Sequence, residues 1–536
     1  MVPARLLTSR PDLLGNGSDE RVRLTITAVD LTRAGRMDVL VEATPGTPLE
    51  TVAEELGRLR FEAGRRIAPV LYVDGLPLDP RSTLADSPVR EGSVVSLVDP
   101  AGCPADEPPG VLELRVTGGP AAGAVHQLTP GIALVGSGSG ARVQVADPHL
   151  AVEAFTLAVY ADGDCELVLR PGVRGRLDGQ ALPVQTPLHP GAEVAVGGSL
   201  FEIQPAAARS DAVLAPSADG CGLDYNRPPR VRPERRPLLF RLPALPGQGP
   251  SEAFPIAMIL SSLVLSVGAA FVLGQPAFLL LALLGPVVWI GHYLFERRQG
   301  RTSHARQMAD YEARRAQVEA EAQAALAEER AHLRRDFPDP ASVLLTATGP
   351  RSNLWERRRH DPDFLALRVG TGTVDSNVRV EEHGPAEAAG PVVSHLVDAP
   401  VVVRLPEHGV LGVAGGGDLP GALGRWLLGQ VATLHSPQDV RVCVLTDASG
   451  QRDWEWVRWL PHARPALAPD VLVAIGNDDA SVTRRLDELA GLLASRQRAA
   501  REAAAGRTVA VQSDVLVVLD GATRLRGLPG VVQLLR

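Results

Sequence analysis

The sequence predicts a multidomain protein with two β-rich domains, a transmembrane α-hairpin, a stalk helix and an α/β domain. Three observations support this prediction. The chain has 536 residues, which is long enough for several domains. An apolar stretch without Asp, Glu, Lys or Arg runs from Phe254 to Phe295. Short strands separated by turns precede this stretch, and apolar strands alternate with helices near the C-terminus.

The composition argues against several classes of protein. The formal net charge is −8 at pH 7, which disfavours a chain that coats nucleic acid, so DNA is not an expected partner. No CxxC or Cys/His spacing suggests a disulfide framework or a metal site; the cysteines are Cys103, Cys165, Cys221 and Cys443. The first residues lack the apolar core of a cleavable signal.

The chain contains no lysine, and every basic residue other than histidine is arginine. A P-loop uses a lysine ammonium to reach the β- and γ-phosphates of a nucleotide. The sequence therefore predicts no intact ATP site and no catalytic residue in this chain.

Residues 1–20 are predicted to be disordered, and residues 21–100 to form a small domain. VRLTITAVD and MDVLVEA alternate as a strand hairpin, TPGTPLETVAEELGRL begins like a capped helix, and short strands follow in PVLYVDG and SVVSLVD. This ββαββ order resembles a ubiquitin-like β-grasp domain. A small β-sandwich is the alternative, and the one clear helix argues against it.

Residues 111–206 are predicted to form an all-β sandwich, because short strands alternate with turn signals at close spacing. The opening GGPAAGAVHQL, the glycine of ALVG, the Asp147-Pro148 pair and the closing GAEVAVGG fall in the order of a forkhead-associated (FHA) domain, which this segment resembles. That family recognises phosphothreonine peptides.

The residues with which the FHA family holds phosphate are replaced. Where the family has an arginine, a serine and a histidine, this chain has Ser137, Ala151 and Ala154. A phosphate site needs a guanidinium and convergent donors. His149 and Arg142 are the alternatives, and a plain surface role is favoured for both. We expect an FHA fold kept as an assembly module without phosphate binding.

Residues 207–252 are predicted to be a Pro- and Arg-rich linker, whose DYNR sequence at 224–227 is a candidate binding motif or simply a basic flank with a packed tyrosine. Two transmembrane helices are predicted within 253–296, from Phe254 to Leu273 and from Ala277 to Phe295. A buried hairpin of a soluble core is the alternative. Arginines on both flanks favour a plasma-membrane protein with both ends cytoplasmic.

Residues 297–336 are predicted to form a stalk helix, because strong helix formers and opposite charges recur at helical spacing. The sequence FPDP at 337–340 ends it. Residues 337–536 alternate strands with helices, as in a three-layer α/β domain with a mainly parallel sheet; the predicted strands are GVLGVAGGG, DVRVCVLTD, VLVAIG and DVLVVLDG.

Four motifs of this last domain resemble the FtsK/SpoIIIE-type ATPases of type VII secretion systems, called EccC or EssC. They are LWERR at 354–358, DFL at 363–365, HSP at 435–437 and WLPH at 459–462. The order of FHA-like domain, double span, stalk and ATPase-like domain also matches the EssC arrangement. The resemblance implies a hexamer, secretion subunits and exported proteins as partners, and ATP with Mg²⁺ in associated ATPase domains.

The nucleotide site that the resemblance implies is degenerate. A glycine-rich turn stands where a phosphate loop would lie, and Asp520 ends a strand that resembles a Walker B strand; the glycines are Gly412, Gly415, Gly416 and Gly417. The turn is followed by Asp418, which would repel phosphate, and Gly521 stands where a glutamate would polarise water. We therefore predict a pseudo-ATPase domain without a cofactor in this chain.

The sequence thus predicts a membrane-anchored scaffold and coupling component of a type VII-like secretion machine. A DNA-translocating FtsK-type motor and a phosphopeptide-sensing membrane adaptor are the alternatives. Because the sequence stops one short strand beyond Asp520, we expect either a partial sequence or a second polypeptide that supplies the motor.

Overall fold

The computed structural model describes residues 4–7, 22–31, 35–60, 69–104, 109–206, 214–217, 222–230, 236–246, 256–273, 278–381, 392–464, 473–507, 512–528 and 530–534. The chain forms two compact units. Unit 1 comprises Met1–Val231, Phe337–Gly370 and Val402–Arg536, and unit 2 comprises Arg232–Asp336 and Thr371–Val401.

The first part of unit 1, here called the N-terminal domain, contains the described residues up to 104. Its elements are β1 (Ala4–Leu7), β2 (Val22–Asp30), β3 (Gly35–Ala43), α1 (Leu49–Arg60), β4 (Leu71–Val73), β5 (Leu76–Pro77) and β6 (Val94–Leu97). β2 and β3 form an antiparallel hairpin, and β6 runs parallel to β2. α1 packs its apolar face on this sheet. The strand–strand–helix–strand order is the one that the sequence predicts, and β1 adds a parallel strand from the segment predicted to be disordered.

The second part of unit 1, here called the sandwich domain, spans 109–206. Its strands are β7 (Leu112–Gly118), β8 (Val125–Leu128), β9 (Gly131–Gly136), β10 (Val143–Gln144), β11 (Phe155–Val159), β12 (Cys165–Leu169), β13 (Gly175–Leu177), β14 (Gln180–Ala181), β15 (Gln185–Leu188), β16 (Glu193–Val196) and β17 (Ser199–Pro205). They form two sheets, ordered β10-β9-β11-β12-β15 and β14-β13-β16-β17-β7-β8. Phe155 and Phe201 meet edge to face between them, with ring centroids 5.4 Å apart. The predicted all-β sandwich is confirmed.

A short hairpin follows the sandwich domain, formed by β18 (Leu214–Pro216) and β19 (Leu223–Tyr225). Unit 2 then contains β20 (Leu238–Arg241), α2 (Ile256–Leu273), α3 (Phe278–Asp336) and most of β21 (Ala366–Glu381) and β22 (Val392–Arg404). β20 runs parallel to β21. Glu329 of α3 accepts hydrogen bonds from the Ser376 hydroxyl and, at 3.0 Å, from the backbone N–H of Asn377. α3 ends at Asp336, directly before the predicted stop at 337–340.

Within the part of the chain that the structure describes, no helix combines the length and the apolar composition that a membrane crossing requires. The predicted transmembrane hairpin and the two-span plasma-membrane location are therefore wrong. The prediction treated the run from Ala277 to Phe295 as a helix of its own, whereas from Phe278 onward it is the beginning of the 59-residue α3. Phe254, the turn at 274–276 and Ala277 lie outside the described residues.

The last part of unit 1, here called the α/β domain, contains 337–370 and the described residues from 402 to 534. Its helices are α4 (Pro340–Thr348), α5 (Leu405–His408), α6 (Leu419–Leu434), α7 (Gln451–Trp454), α8 (Asp479–Ala504), α9 (Ala522–Leu525) and α10 (Val531–Leu534). Its sheet is ordered β24-β23-β25, with β23 (Val440–Leu445), β24 (Ile475–Gly476) and β25 (Asp514–Leu519). The two described pairings are parallel, as the sequence predicts.

The predicted strand GVLGVAGGG is not a strand. Residues 409–417 form a loop, and Gly409 and Gly417 have φ of 70° and 62°. Positive φ angles interrupt an extended strand. Leu411 and Val413 instead pack on the apolar cluster that includes Leu427 and Val431 of α6.

Candidate functional site

The glycine-rich turn leads into α6 as the sequence predicts, but it lies open to solvent. Gly412, Gly415, Gly416 and Gly417 are exposed, and no neighbouring atom lies within 4 Å of a Cβ built at Gly412 or Gly416. Asp418 occupies the N-cap position without a side-chain capping bond, and its carboxylate pairs with Arg425 of the same helix at 3.0 Å. A carboxylate at this position opposes phosphate binding at the N-terminus of α6.

Asp520 follows β25 at the carboxyl edge of the parallel sheet, where ligands bind in open α/β sheets. Its Oδ2 atom accepts a hydrogen bond from Thr446 Oγ1 at 2.8 Å and another from the Trp454 indole Nε1 at 3.0 Å. Its backbone N–H donates to Leu445 O at 2.9 Å. One oxygen of this Walker B-like carboxylate, Oδ2, is thus engaged by two protein donors.

Gly450 allows this arrangement. A Cβ at Gly450 would lie 2.2 Å from Thr446 Oγ1 and 2.4 Å from Asp520 Oδ2, so a larger residue would push the pair apart. Trp454, which follows at the end of α7, is only 3% exposed. A Cβ at Gly424 of α6 would lie 3.5 Å from the far edge of its indole. The indole therefore spans from Asp520 to the first turns of α6.

Arg524 supplies positive charge at the same edge of the sheet. Its guanidinium donates to Thr446 O at 3.2 Å and lies 3.4 Å from an Asp447 carboxylate oxygen. Hydrogen bonds from the Ser449 hydroxyl and from the backbone of Gly450 and Ser449 lower the pKa of Asp447. No cluster of His, Cys, Asp or Glu suited to a metal ion occurs among the described residues. The carboxyl edge of the sheet therefore already contains a cation, Arg524, and the hydrogen-bond donors Ser449 and Gly450.

The motifs that resemble the secretion ATPases come together in a second, buried cluster. Arg357 is fully buried, stacks over Phe337 at 5.3 Å, and its Nε lies 3.5 Å from Asp363 Oδ2. His435 Nε2 accepts the backbone N–H of Leu365 at 3.0 Å, and His462 Nε2 bonds to His435 O at 2.7 Å. The four sequence motifs therefore form one packed unit.

Burial makes both histidines weak bases. Desolvation, with a contribution from the nearby Arg357 guanidinium, lowers the pKa of His435 to about 3. Desolvation likewise lowers the pKa of His462 to about 4. Both side chains are therefore neutral at physiological pH and act as packed hydrogen-bonding groups.

The segment 222–230, here called the docking strap, crosses this cluster. Tyr225 donates to Ser352 O at 2.8 Å and meets the Trp355 ring edge to face at 6.0 Å. Arg227 donates to Asp439 at 2.8 Å and to Trp355 O at 3.2 Å. The segment that sequence analysis explains as a basic flank is thus bound to the α/β domain.

Arg230 makes the strongest contact of the strap. Its two terminal nitrogens bind both oxygens of Asp363, at 3.0 and 2.9 Å. Asp361 and Glu356 lie 3.3 and 3.4 Å away. Sequence analysis missed this site, although Arg-Pro-Pro-Arg upstream and three acids within 356–363 were both visible as complementary charge runs.

The positions at which the FHA family binds phosphate lie on loops of the sandwich domain, and different residues occupy them in this chain. Ser137 Oγ donates to Leu150 O at 2.9 Å, Ala151 is exposed and Ala154 is fully buried. His149 is exposed, and Arg142 donates to Thr129 at 2.7 Å on the surface. The predicted absence of phosphate binding stays a prediction, and Ser137 fastens the loop at the position of the family's arginine.

Asp147 anchors the same loop. Its carboxylate accepts hydrogen bonds from His149 N, Gly198 N and Ser199 Oγ, each at 2.8 Å. Burial opposes ionisation, but these donors outweigh it and lower the pKa of Asp147. The Asp147-Pro148 pair therefore fixes loop structure.

No family model matches this chain. It is 31% identical over 148 residues to the ESX-4 secretion system protein EccC4 of Mycobacterium tuberculosis, a match that covers 25% of this chain and 12% of that protein. It is 32% identical over 208 residues to the ESX-3 secretion system protein EccC3 of the same organism, covering 36% and 15%. It is 25% identical over 264 residues to the ESX secretion system protein EccC of Geobacillus thermodenitrificans, covering 44% and 17%.

The chain therefore spans less than a fifth of the length of these three relatives. Solved structures similar to it include the FHA domain of the CT664 protein from Chlamydia trachomatis, at 21% identity and a TM-score of 0.17, covering 18% of this chain and 98% of that one. An FHA domain from Arabidopsis thaliana is 17% identical with a TM-score of 0.17, covering 19% and 95%. The predicted relation to the EccC proteins is confirmed.

Proposed function

We propose that this chain, whose homologues are EccC proteins of type VII secretion systems, is a scaffold and coupling component of such a machine and turns over no ATP itself. Its partners are other secretion subunits, exported proteins and further copies of the chain, in a hexamer by resemblance. ATP and Mg²⁺ act in associated ATPase domains.

The proposal that this chain turns over no ATP rests on the contact between Trp454 and Asp520. A Mg-nucleotide needs a free carboxylate near the metal and a lysine at the phosphates. Asp520 Oδ2 already accepts hydrogen bonds from Trp454 and Thr446, the chain has no lysine, and Asp418 precedes α6. Side chains of the protein itself thus occupy Asp520 Oδ2 at this edge of the sheet.

The docking strap supports the coupling role. It leads from the sandwich domain and is held by Arg227 and Arg230 on the α/β domain. Since a side chain that bridges several carboxylates in a half-buried site resists pulling apart, the strap can transmit force between the two domains. The sandwich domain then serves as an assembly module.

Calorimetric titration of the full chain with Mg-ATP tests this proposal. We expect no binding heat up to about 1 mM nucleotide, since a site without lysine loses its main phosphate contact. The matched control is Asp520→Asn, which keeps an acceptor for Trp454 but cannot serve as a carboxylate ligand of Mg²⁺. Micromolar binding by the wild-type chain that the variant loses would contradict the proposal.

A further inference from the structure

Residues 451–464, here called the bridge segment, contact the α/β domain on one side and the N-terminal domain on the other. One side is buried in the α/β domain and consists of Trp454, Val457, His462 and Ala463. The other side carries Arg458 and Arg464, whose guanidinium groups pair with Asp38 and Glu91 of the N-terminal domain. All of these residues belong to unit 1.

Each of the two carboxylates is held in place by its own domain. Asp38 accepts the Thr27 hydroxyl at 2.8 Å on Oδ1 and binds Arg458 with Oδ2. Glu91 accepts the backbone N–H of Thr25 at 2.6 Å on Oε2 and binds Arg464 with Oε1. Because Thr25 and Thr27 lie on β2, an interior strand of the N-terminal sheet, both carboxylates are held by their own domain independently of the bridge segment.

The arginine side is also positioned in advance. Arg458 stacks over Trp459 at 5.3 Å and lies 3.1 Å from Glu455. Its side chain is 28% exposed, and the side chain of Asp38 is 16% exposed, so the pair is partly shielded from solvent. Burial and the nearby Arg36 lower the pKa of Arg458, so its positive charge is costly to hold at this position. Prepositioned, partly buried pairs of this kind retain more of their Coulomb energy than mobile surface pairs.

We propose that the N-terminal domain is a detachable electrostatic clamp on the bridge segment, with Asp38 and Glu91 as its two contacts. The bridge segment carries Trp454, so the clamp also steadies the indole against Asp520. Docking of the N-terminal domain and closure of the sheet edge are thus linked through the three residues between Trp454 and Arg458. This link concerns the apo protein and does not depend on the proposed role in secretion.

Hydrogen exchange of the full chain, followed by mass spectrometry, tests the clamp. In the variant Asp38→Asn with Glu91→Gln, we expect peptides covering 451–464 to exchange about tenfold faster than in the wild type, because local opening costs less. Raising the salt concentration to about 1 M is expected to act in the same direction, since the Debye length falls to about 3 Å. The matched control is Glu54→Gln, an exposed acid of α1 paired with Arg58 on the same helix.

A second variant separates loss of the clamp from unfolding of the N-terminal domain. Arg458→Gln with Arg464→Gln leaves that domain unaltered, and peptides covering α1 report whether it remains folded in either variant. The clamp is supported when both double variants accelerate exchange in 451–464 while α1 stays protected. Unchanged exchange of 451–464 in the arginine variant overturns it, whatever the acid variant shows.

Discussion

His435 and His462 illustrate how single residues hold the α/β domain together. His435 Nε2 accepts an N–H, so its Nδ1 carries the proton of the neutral ring, whereas His462 Nε2 donates and its Nδ1 is bare. Both Nδ1 atoms are buried without a hydrogen-bond partner among the described residues. Protonation would therefore place a charge in a site that offers it no acceptor.

This arrangement predicts acid sensitivity. The folded-state pKa values of about 3 and about 4 lie below the ordinary value of 6.5, so the unfolded chain binds protons first as pH falls below that value. Stability is fully present above pH 6.5 and is lost on acidification towards pH 4 and below. We expect each histidine to remove about 2 kcal/mol from the free energy of unfolding between pH 7 and pH 5.

Urea denaturation at pH 7 and pH 5, followed by tryptophan fluorescence, measures this loss. Five of the six tryptophans lie in the α/β domain and report on it; they are Trp355, Trp426, Trp454, Trp456 and Trp459. His435→Gln should flatten the pH dependence, and the control His149→Gln, at an exposed position, should leave it unchanged. An equal pH dependence in all three proteins would show that the buried imidazoles are not its cause.

The docking strap joins parts of the unit 1 sequence that lie far apart along the chain, as in the bond between Arg227 and Asp439. Its interface is charged on both sides, with Arg227 and Arg230 against Asp361, Asp363, Glu356 and Asp439. The Asp363 side chain is only 2% exposed, so its charge depends on protein partners. Removing one partner leaves a buried carboxylate less compensated.

We expect Arg230→Met to lower the free energy of unfolding of the α/β domain by about 2 kcal/mol, since methionine keeps part of the side-chain volume but not the charge. Tryptophan-monitored urea denaturation gives the value. Arg241→Met is the matched control, because the side chain of Arg241 is 68% exposed in its pair with Glu381 and such pairs contribute less than about 0.5 kcal/mol. A change as small as in the control would mean that the strap does not stabilise the domain.

Elements with strong periodic signals were predictable. The sandwich strands alternate buried and partly buried residues, as in Phe155–Val159, and turn residues separate them. The α3 end at Asp336 follows from the prolines behind it. The sequence does not predict β21 and β22, because Gly370 and Gly372 interrupt the apolar alternation in β21, and Asp398 and Pro400 interrupt it in β22.

Two predictions are wrong because they consider only the local sequence and not the segments that continue from it or pair with it. The apolar run from Phe254 to Phe295 predicts two spanning helices, although its second half continues into the polar part of α3. The glycine-rich turn was given a strand, although no neighbouring strand pairs with 409–417 in the described sheet. The Trp454–Asp520 bond joins residues 66 apart, so no local pattern could indicate it.

At the scale of the whole molecule, the contacts within unit 1 converge on the α/β domain. The strap reaches it from the sandwich domain side, and Asp38 and Glu91 reach it from the N-terminal domain. Its sheet edge is closed by Trp454, Thr446 and Arg524. This organisation suits a part that joins and positions other domains, and it engages Oδ2 of Asp520, the carboxylate at the position that the resemblance assigns to the metal.

The most direct test of the proposed secretion role measures the export of secreted proteins from a host strain that lacks this gene. We predict that export is lost in the deletion strain and restored equally by the wild-type chain and by Asp520→Asn, in which an amide replaces the carboxylate that a metal would require. Immunoblots would verify equal protein levels. Normal export without the gene would contradict the secretion role, and failure of Asp520→Asn at a normal protein level would show that this chain uses a metal–nucleotide site after all.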